Sequence, residues 1–244
     1  VMERAFACHN TLGRFCDESI YQADLARRLV ASQLGPVHVG PPIQVTWNGF
    51  RKIYYPDLIV GQGVIYELKT VTALAGEHIT QLLNYLFLLG VTDGKLINFR
   101  PSSVACRFVS TNLTQEKRRQ FVVEDRQFQI TSPVCKDLRA WLIDMLNDWG
   151  AFLEISLYQE ALTWALGGDE KVIQPTQYFC ENTLLGTQRV HLLEPGVAFK
   201  LTAVTEHRDS METHMKRFLT HTSLTALQWI NFNHHQIEFI TIKK

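Results

Sequence analysis

Residues 54–70 read YYPDLIVGQGVIYELKT. Two short apolar runs flank Gly61-Gln62-Gly63, the pattern of two strands joined by a tight glycine turn. A three-residue loop pairs Val60 with Val64, Ile59 with Ile65 and Leu58 with Tyr66. The next pair is Asp57 with Glu67, which sets two carboxylates opposite each other. Like charges in that position destabilise a sheet by up to about 1 kcal/mol. Alternate residues of a strand share a face, so Glu67 and Lys69 point one way and Leu68 points into the core. Two carboxylates and an ammonium therefore converge on an open face, with Lys69 expected to be exposed, to face the site and to contribute little packing.

A hard divalent cation removes such a repulsion, because Mg²⁺ is held by one or two carboxylates together with water and phosphate oxygens. A lysine beside it can orient a water or stabilise charge that develops in a transition state. Together these groups are equipped for metal-assisted phosphodiester hydrolysis. The alternative is a solvated face on which Glu67 pairs with Lys69 or Lys52, although a hairpin flanked by LIV and VIY is an apolar setting for one. Two helical pairs lie beside the hairpin in chain order. Glu18 and Tyr21 are three residues apart, and Gln81 and Tyr85 four apart, so each pair shares a helix face. They are expected to wall the site.

Working outward, the chain has 244 residues, 46% hydrophobic and 20% charged, with a net charge of zero. That balance excludes a strong nonspecific nucleic-acid binder. The charge is unevenly spread: residues 1–122 carry 13 Lys and Arg against 9 Asp and Glu, and residues 123–244 carry 11 against 15. The first part is thus +4 and the second −4, which suggests different tasks. No apolar run reaches the roughly 20 residues of a membrane span, and no basic-then-apolar leader opens the sequence. Cys8, Cys16, Cys106, Cys135 and Cys180 show no metal-finger spacing and read as reduced core thiols of a cytoplasmic protein.

The first half reads helix (DESIYQADLARRLVASQL), strands, apolar helix (EHITQLLNYLFLLG) and strand (GKLINF), and the second half repeats that order. GRFCDESIYQADL at 13–25 overlays GAFLEISLYQEAL at 150–162, and GVIYELKTVT at 63–72 overlays GVAFKLTAVT at 196–205. At the second offset Ile97-Asn98-Phe99 meets Ile230-Asn231-Phe232. The expected organisation is a tandem duplication: an α/β unit over 1–112, a linker over 113–132 and a second unit over 133–244. In the overlay Glu67 meets Lys200, Lys69 meets Thr202, Gln81 meets His214, Tyr85 meets Phe218 and Glu18 meets Ile155. Asp57 falls near Glu194, so one acid is expected to persist. A lysine in place of an acid repels a cation, and the second copy is expected to be inactive but folded.

The first copy resembles the PD-(D/E)XK nuclease superfamily, specifically its small GxxExxY members with RecB-type motifs. Pro56-Asp57 matches PD, Glu67-Leu68-Lys69 matches (D/E)XK, and Gln81 with Tyr85 matches QxxxY. LGRFCDESIY matches the name motif at Glu18 and Tyr21, with Phe15 at the glycine position. The resemblance covers about residues 5–110. It implies a fold of two tandem restriction-endonuclease-like α/β units forming a pseudo-dimer. It also implies Mg²⁺ or Mn²⁺ held by Asp57, Glu67 and the Leu68 carbonyl, with Glu18 at the edge of the metal site and Lys69 serving the attacking water. Gln81, Tyr85 and Tyr21 would position or brace the strand, and His9 lies near where some relatives carry a metal-binding histidine. The implied partner is a nucleic acid, DNA favoured over RNA, with a further protein partner through the second copy. The implied activity is a nuclease; the alternative is a non-catalytic nucleic-acid- or protein-binding scaffold that retains the fold.

Overall fold

The structure is a computed structural model that describes residues 1–244, and the chain divides into two compact units. The first comprises Val1–Thr46 and Arg51–Thr114; the second comprises Trp47–Phe50 and Gln115–Lys244.

In the first unit, helices α1 (Met2–Leu12) and α2 (Glu18–Ala31) precede β1 (Val37–Val39) and the strands β2 (Ile43–Trp47) and β3 (Phe50–Tyr54), which pair with each other. The motif hairpin follows as β4 (Leu58–Val60) and β5 (Val64–Lys69). Its register is Leu58 with Tyr66, Ile59 with Ile65 and Val60 with Val64. Gly61 and Gly63 have φ of 65° and 111°, values that other residues adopt only at a cost, so the loop length and hence the register are set by these two glycines. Helix α3 (Gly76–Leu89) then crosses to β6 (Asp93–Asn98), which lies parallel to β5, and β7 (Ala105–Ser110) closes the sheet in the order β1-β4-β5-β6-β7. Leu58, Val60, Leu68, Ile97 and Phe99 form the core with Tyr21, Leu25 and Leu29 of α2. Burying each such side chain contributes about 1.5–3 kcal/mol.

Residues 113–132 do not form a plain linker. They contain α4 (Gln115–Arg119) and β8 (Val122–Gln127), an edge strand of the second unit's sheet. Arg118 is buried and donates to the carbonyls of Trp149 and Ala151, which gives this polar stretch a fixed place. The second unit continues with α5 (Pro133–Trp149), α6 (Ile155–Ala165), α7 (Asp169–Val172), β9 (Ile173–Cys180), β10 (Thr183–Glu194), β11 (Val197–Thr202), α8 (Arg208–Thr220), β12 (Ala226–Asn233) and β13 (Gln236–Lys243). The sheet order is β8-β13-β12-β11-β10-β9, with β11 and β12 parallel.

Several geometric details recur in the two units at the sequence offsets of the overlay. Glu67 pairs with Leu96 and Lys69 with Asn98; 133 residues later Lys200 pairs with Trp229 and Thr202 with Asn231. The Asn98 amide bonds both main-chain groups of Val71, and Asn231 does the same to Val204. The Tyr21 hydroxyl donates to the Gly13 carbonyl, and the Tyr158 hydroxyl donates to that of Gly150. Tyr21 stacks on Phe99 at 4.4 Å between ring centres, and Tyr158 lies 5.0 Å from Phe232.

Candidate active site

The site lies in the first unit, where β4 and β5 diverge from their glycine turn. Asp57 sits immediately before β4, and its carboxylate oxygen Oδ2 accepts the Leu68 main-chain N–H at 2.7 Å. Glu67 returns the contact, its Oε2 accepting the Asp57 N–H at 3.3 Å. Lys69 Nζ donates to Glu67 Oε1 at 3.0 Å and lies 3.8 Å from Glu18 Oε1. The two acids and the lysine therefore do converge as the strand alternation implies.

Their burial differs from the expected open face. Glu67 is 2% exposed and Lys69 8%. Lys69 is thus a buried ion-pair partner rather than a solvated lysine, because the apolar hairpin and neighbouring helices close over it. Burial raises the carboxyl pKa of Glu67, and the facing Asp57 charge raises it further, while Lys69 opposes both. Burial also raises that of Asp57, against the Leu68 N–H and Lys69. Glu18 is raised by burial too, with Lys69 the main opposing influence. One ammonium does not neutralise three carboxylates, and the cluster carries a charge deficit that a cation would meet.

The donor chemistry fits a hard divalent cation. Asp57 and Glu67 offer carboxylate oxygens with lone pairs left over from the bonds just described, and the Leu68 carbonyl follows Glu67 directly in the chain. No three His, Cys, Asp or Glu side chains gather around one point, so Glu18, paired with Lys69, stands at the rim of this set.

Other expected residues divide. Gln81 Nε2 donates to the Tyr85 hydroxyl at 3.1 Å, and the Tyr85 ring meets Tyr54 edge-on at 6.2 Å, so this helical pair forms one braced unit. Tyr21 does not join Glu18 at the site. It is fully buried, its ring stacked on Phe99 and its hydroxyl bonded to Gly13. A three-residue step on a helix turns through about 300°, enough to send one of two neighbours into the core. Gln22 takes the place expected of Tyr21, donating to the Asp57 carbonyl at 2.9 Å and approaching its carboxylate at 3.5 Å. Its four-residue spacing from Glu18 is the signal that could have found it. His78, in the first turn of α3, lies close enough to Glu18 to lower its pKa and was not singled out by any motif. His9 is buried, with Nε2 3.1 Å from the Pro101 carbonyl, a packing contact rather than a place in the acid cluster.

In the second unit Glu194 pairs with Val197 at the turn, and Leu192 pairs with Ala198 across a bulge. Continued two residues, that register sets Val190 opposite Lys200. Glu194, the acid expected to persist near the position of Asp57, lies at the turn and accepts a hydrogen bond from Thr131.

Residues 1–109 match the family model of the PD-(D/E)XK nuclease superfamily. PD-(D/E)XK proteins are phosphodiester nucleases that typically depend on a divalent metal, and the matched segment contains the whole acid cluster. No curated protein matches the chain. A solved structure, the crystal structure of SSO0001, is 19% identical, covering 46% of this chain and 64% of that one, with a TM-score of 0.29. The chain thus spans less than two thirds of that protein's length, and so slight a likeness bears on neither fold nor function. No helix is long and apolar enough to cross a membrane.

Proposed function

We propose that the first unit is a metal-dependent nuclease that hydrolyses phosphodiester bonds of nucleic acid, with DNA favoured over RNA as substrate. The observation that carries this reading is the facing pair of half-buried Asp57 and buried Glu67, bridged to Lys69 inside the matched segment. Such a pair costs stability when left uncompensated, and the charge deficit is the expense of holding a cation site ready.

Asp57, Glu67 and the Leu68 carbonyl would hold Mg²⁺ or Mn²⁺, with Glu18 at the rim. When bound, the cation supplies charge stabilisation at the phosphoryl oxygens and acidifies a water. Lys69 orients the attacking water and stabilises negative charge through its ammonium, while Glu67 fixes the direction of that ammonium. Gln22 braces the Asp57 main chain. Gln81 and Tyr85, held to each other, would position the strand. In the overall reaction a water oxygen bonds to phosphorus, one ester oxygen leaves, and the two protons end on the product groups.

We read the second unit as a degenerate copy produced by duplication and available to a protein partner. Support comes from the repeated strand pairing, the asparagine brackets and the tyrosine anchors. Lys200 at the position of Glu67 and Thr202 at that of Lys69 remove the cation chemistry. The test is to incubate labelled single- and double-stranded DNA and RNA with the protein in Mg²⁺, Mn²⁺ or chelator. Cleavage that needs metal and is lost in Asp57→Asn is expected. An absence of cleavage under every condition would favour the scaffold reading.

A further inference from the structure

The second unit contains a cavity of about 370 Å³ at the position where the first unit carries its acids. That volume is within the roughly 300–1,000 Å³ typical of small-ligand pockets. Lys200 and Arg189 bring permanent positive charge to its lining, His191 and His214 join them, and no carboxylate contributes. Helix α8 adds the apolar side chains of Met211, Met215 and Phe218 to the same lining, beside His214. Gln159, which overlays Gln22, turns its amide to the His191 ring at 2.9 Å instead of bracing an acid. His191 is held below the ordinary histidine pKa, first by burial and then by the Lys200 charge. It thus offers a neutral hydrogen-bonding edge.

We propose that this cavity binds one nucleotide, the phosphate on Lys200 and Arg189 and the base against Phe218 and Met211. A cavity lined by both cationic and apolar groups, with no carboxylate, fits a ligand with an anionic phosphate attached to a flat ring. The Gln159–His191 pair supplies donors and acceptors suited to a base edge. Lys200 replaces an acid with a cation, so a phosphate is attracted here without a bridging metal. The inference deepens the degenerate-copy reading, on which it rests only for the location; the ligand chemistry rests on the lining residues.

The source of the nucleotide is either a free mononucleotide or one residue of a strand. The experiment titrates full-length protein, in chelator so that hydrolysis plays no part, with AMP, adenosine, inorganic phosphate and an eight-residue oligothymidylate. Saturable binding of AMP or of the oligonucleotide is expected, at least tenfold tighter than adenosine or inorganic phosphate. Lys200→Glu and Arg189→Glu, both at exposed positions, should each weaken it tenfold or more. Binding of AMP alone identifies a free mononucleotide, whereas preference for the oligomer identifies a strand. Failure of both ligands to bind, equal affinity for phosphate or adenosine, or indifference to both variants overturns the proposal. None of those failures touches the nuclease reading, which is measured with metal present and through Asp57.

Discussion

At equivalent places on two similarly paired sheets, the first unit holds Glu67 and Lys69 while the second holds Lys200 and Thr202. The first pair is buried and electrostatically loaded. Lys200 is exposed, and the Thr202 hydroxyl donates to Asn231 and accepts from the Trp229 indole, an ordinary satisfied polar contact. Meanwhile the apolar residue between them is kept in both units, Leu68 at 0% exposure and Leu201 at 4%. The sheet therefore constrains its inward positions through packing and leaves the other face free to change chemistry. The same packed inward positions therefore go with either set of polar groups.

The largest effect should separate the units by activity. Lys69→Ala is expected to reduce cleavage at least about 10²-fold, and Thr202→Ala to leave it within about twofold, because Thr202 touches no acid. A comparable loss from both variants in a cleavage assay would break the comparison. Lys69→Ala should also lower the melting temperature, since buried Glu67 loses its partner. Uptake of a proton by Glu67 keeps that cost below the roughly 3–5 kcal/mol of a broken buried pair.

Core truncation should instead make the units alike. Leu68→Ala and Leu201→Ala are each expected to cost about 2–5 kcal/mol in denaturant unfolding. A value under about 1 kcal/mol at either place would show that its strand is not the packed element described above.

Smaller still is the electrostatic relief from Asp57→Asn. Asparagine keeps an acceptor for the Leu68 N–H while removing the charge that faces Glu67. Metal-free stability should stay equal or rise by up to about 1 kcal/mol, and stabilisation by added Mg²⁺ or Mn²⁺ should vanish. A marked metal-free loss, read by thermal melting, would make Asp57 a structural residue.

Acid titration should give the finest distinction. Burial works against the Asp24 carboxylate, but hydrogen bonds from Arg28, Arg27 and Cys8 outweigh it and hold the pKa at about 2, below the ordinary 3.8. A depressed pKa gives stability that is complete above the unfolded value and lost as pH falls from 3.8 toward about 2. In the overlay Ala161 occupies that place, so the second unit has no such contribution. Asp24→Ala should lower the melting temperature modestly at pH 7 and have little effect near pH 2. An equal loss at both pH values would mean that the contribution is packing rather than charge.

The sequence by itself determined the hairpin, its register and the convergence of Asp57, Glu67 and Lys69. Those follow from local rules: two glycines fix a three-residue loop, and strand alternation then assigns every face. It also set Lys200 and Thr202 at the places that Glu67 and Lys69 occupy in the overlay, a difference visible without coordinates. Only the tertiary structure decided that Lys69 is buried, that Gln22 rather than Tyr21 reaches Asp57, and that Glu194 pairs with Val197 at its turn. Each of these depends on what packs against an element. The rotation of α2 is set by Tyr21 seating on Phe99, the burial of Lys69 by the elements closed around β5, and the β10 offset by a bulge. Periodicity gives the faces of a helix or strand, but contacts distant in sequence choose which face turns inward.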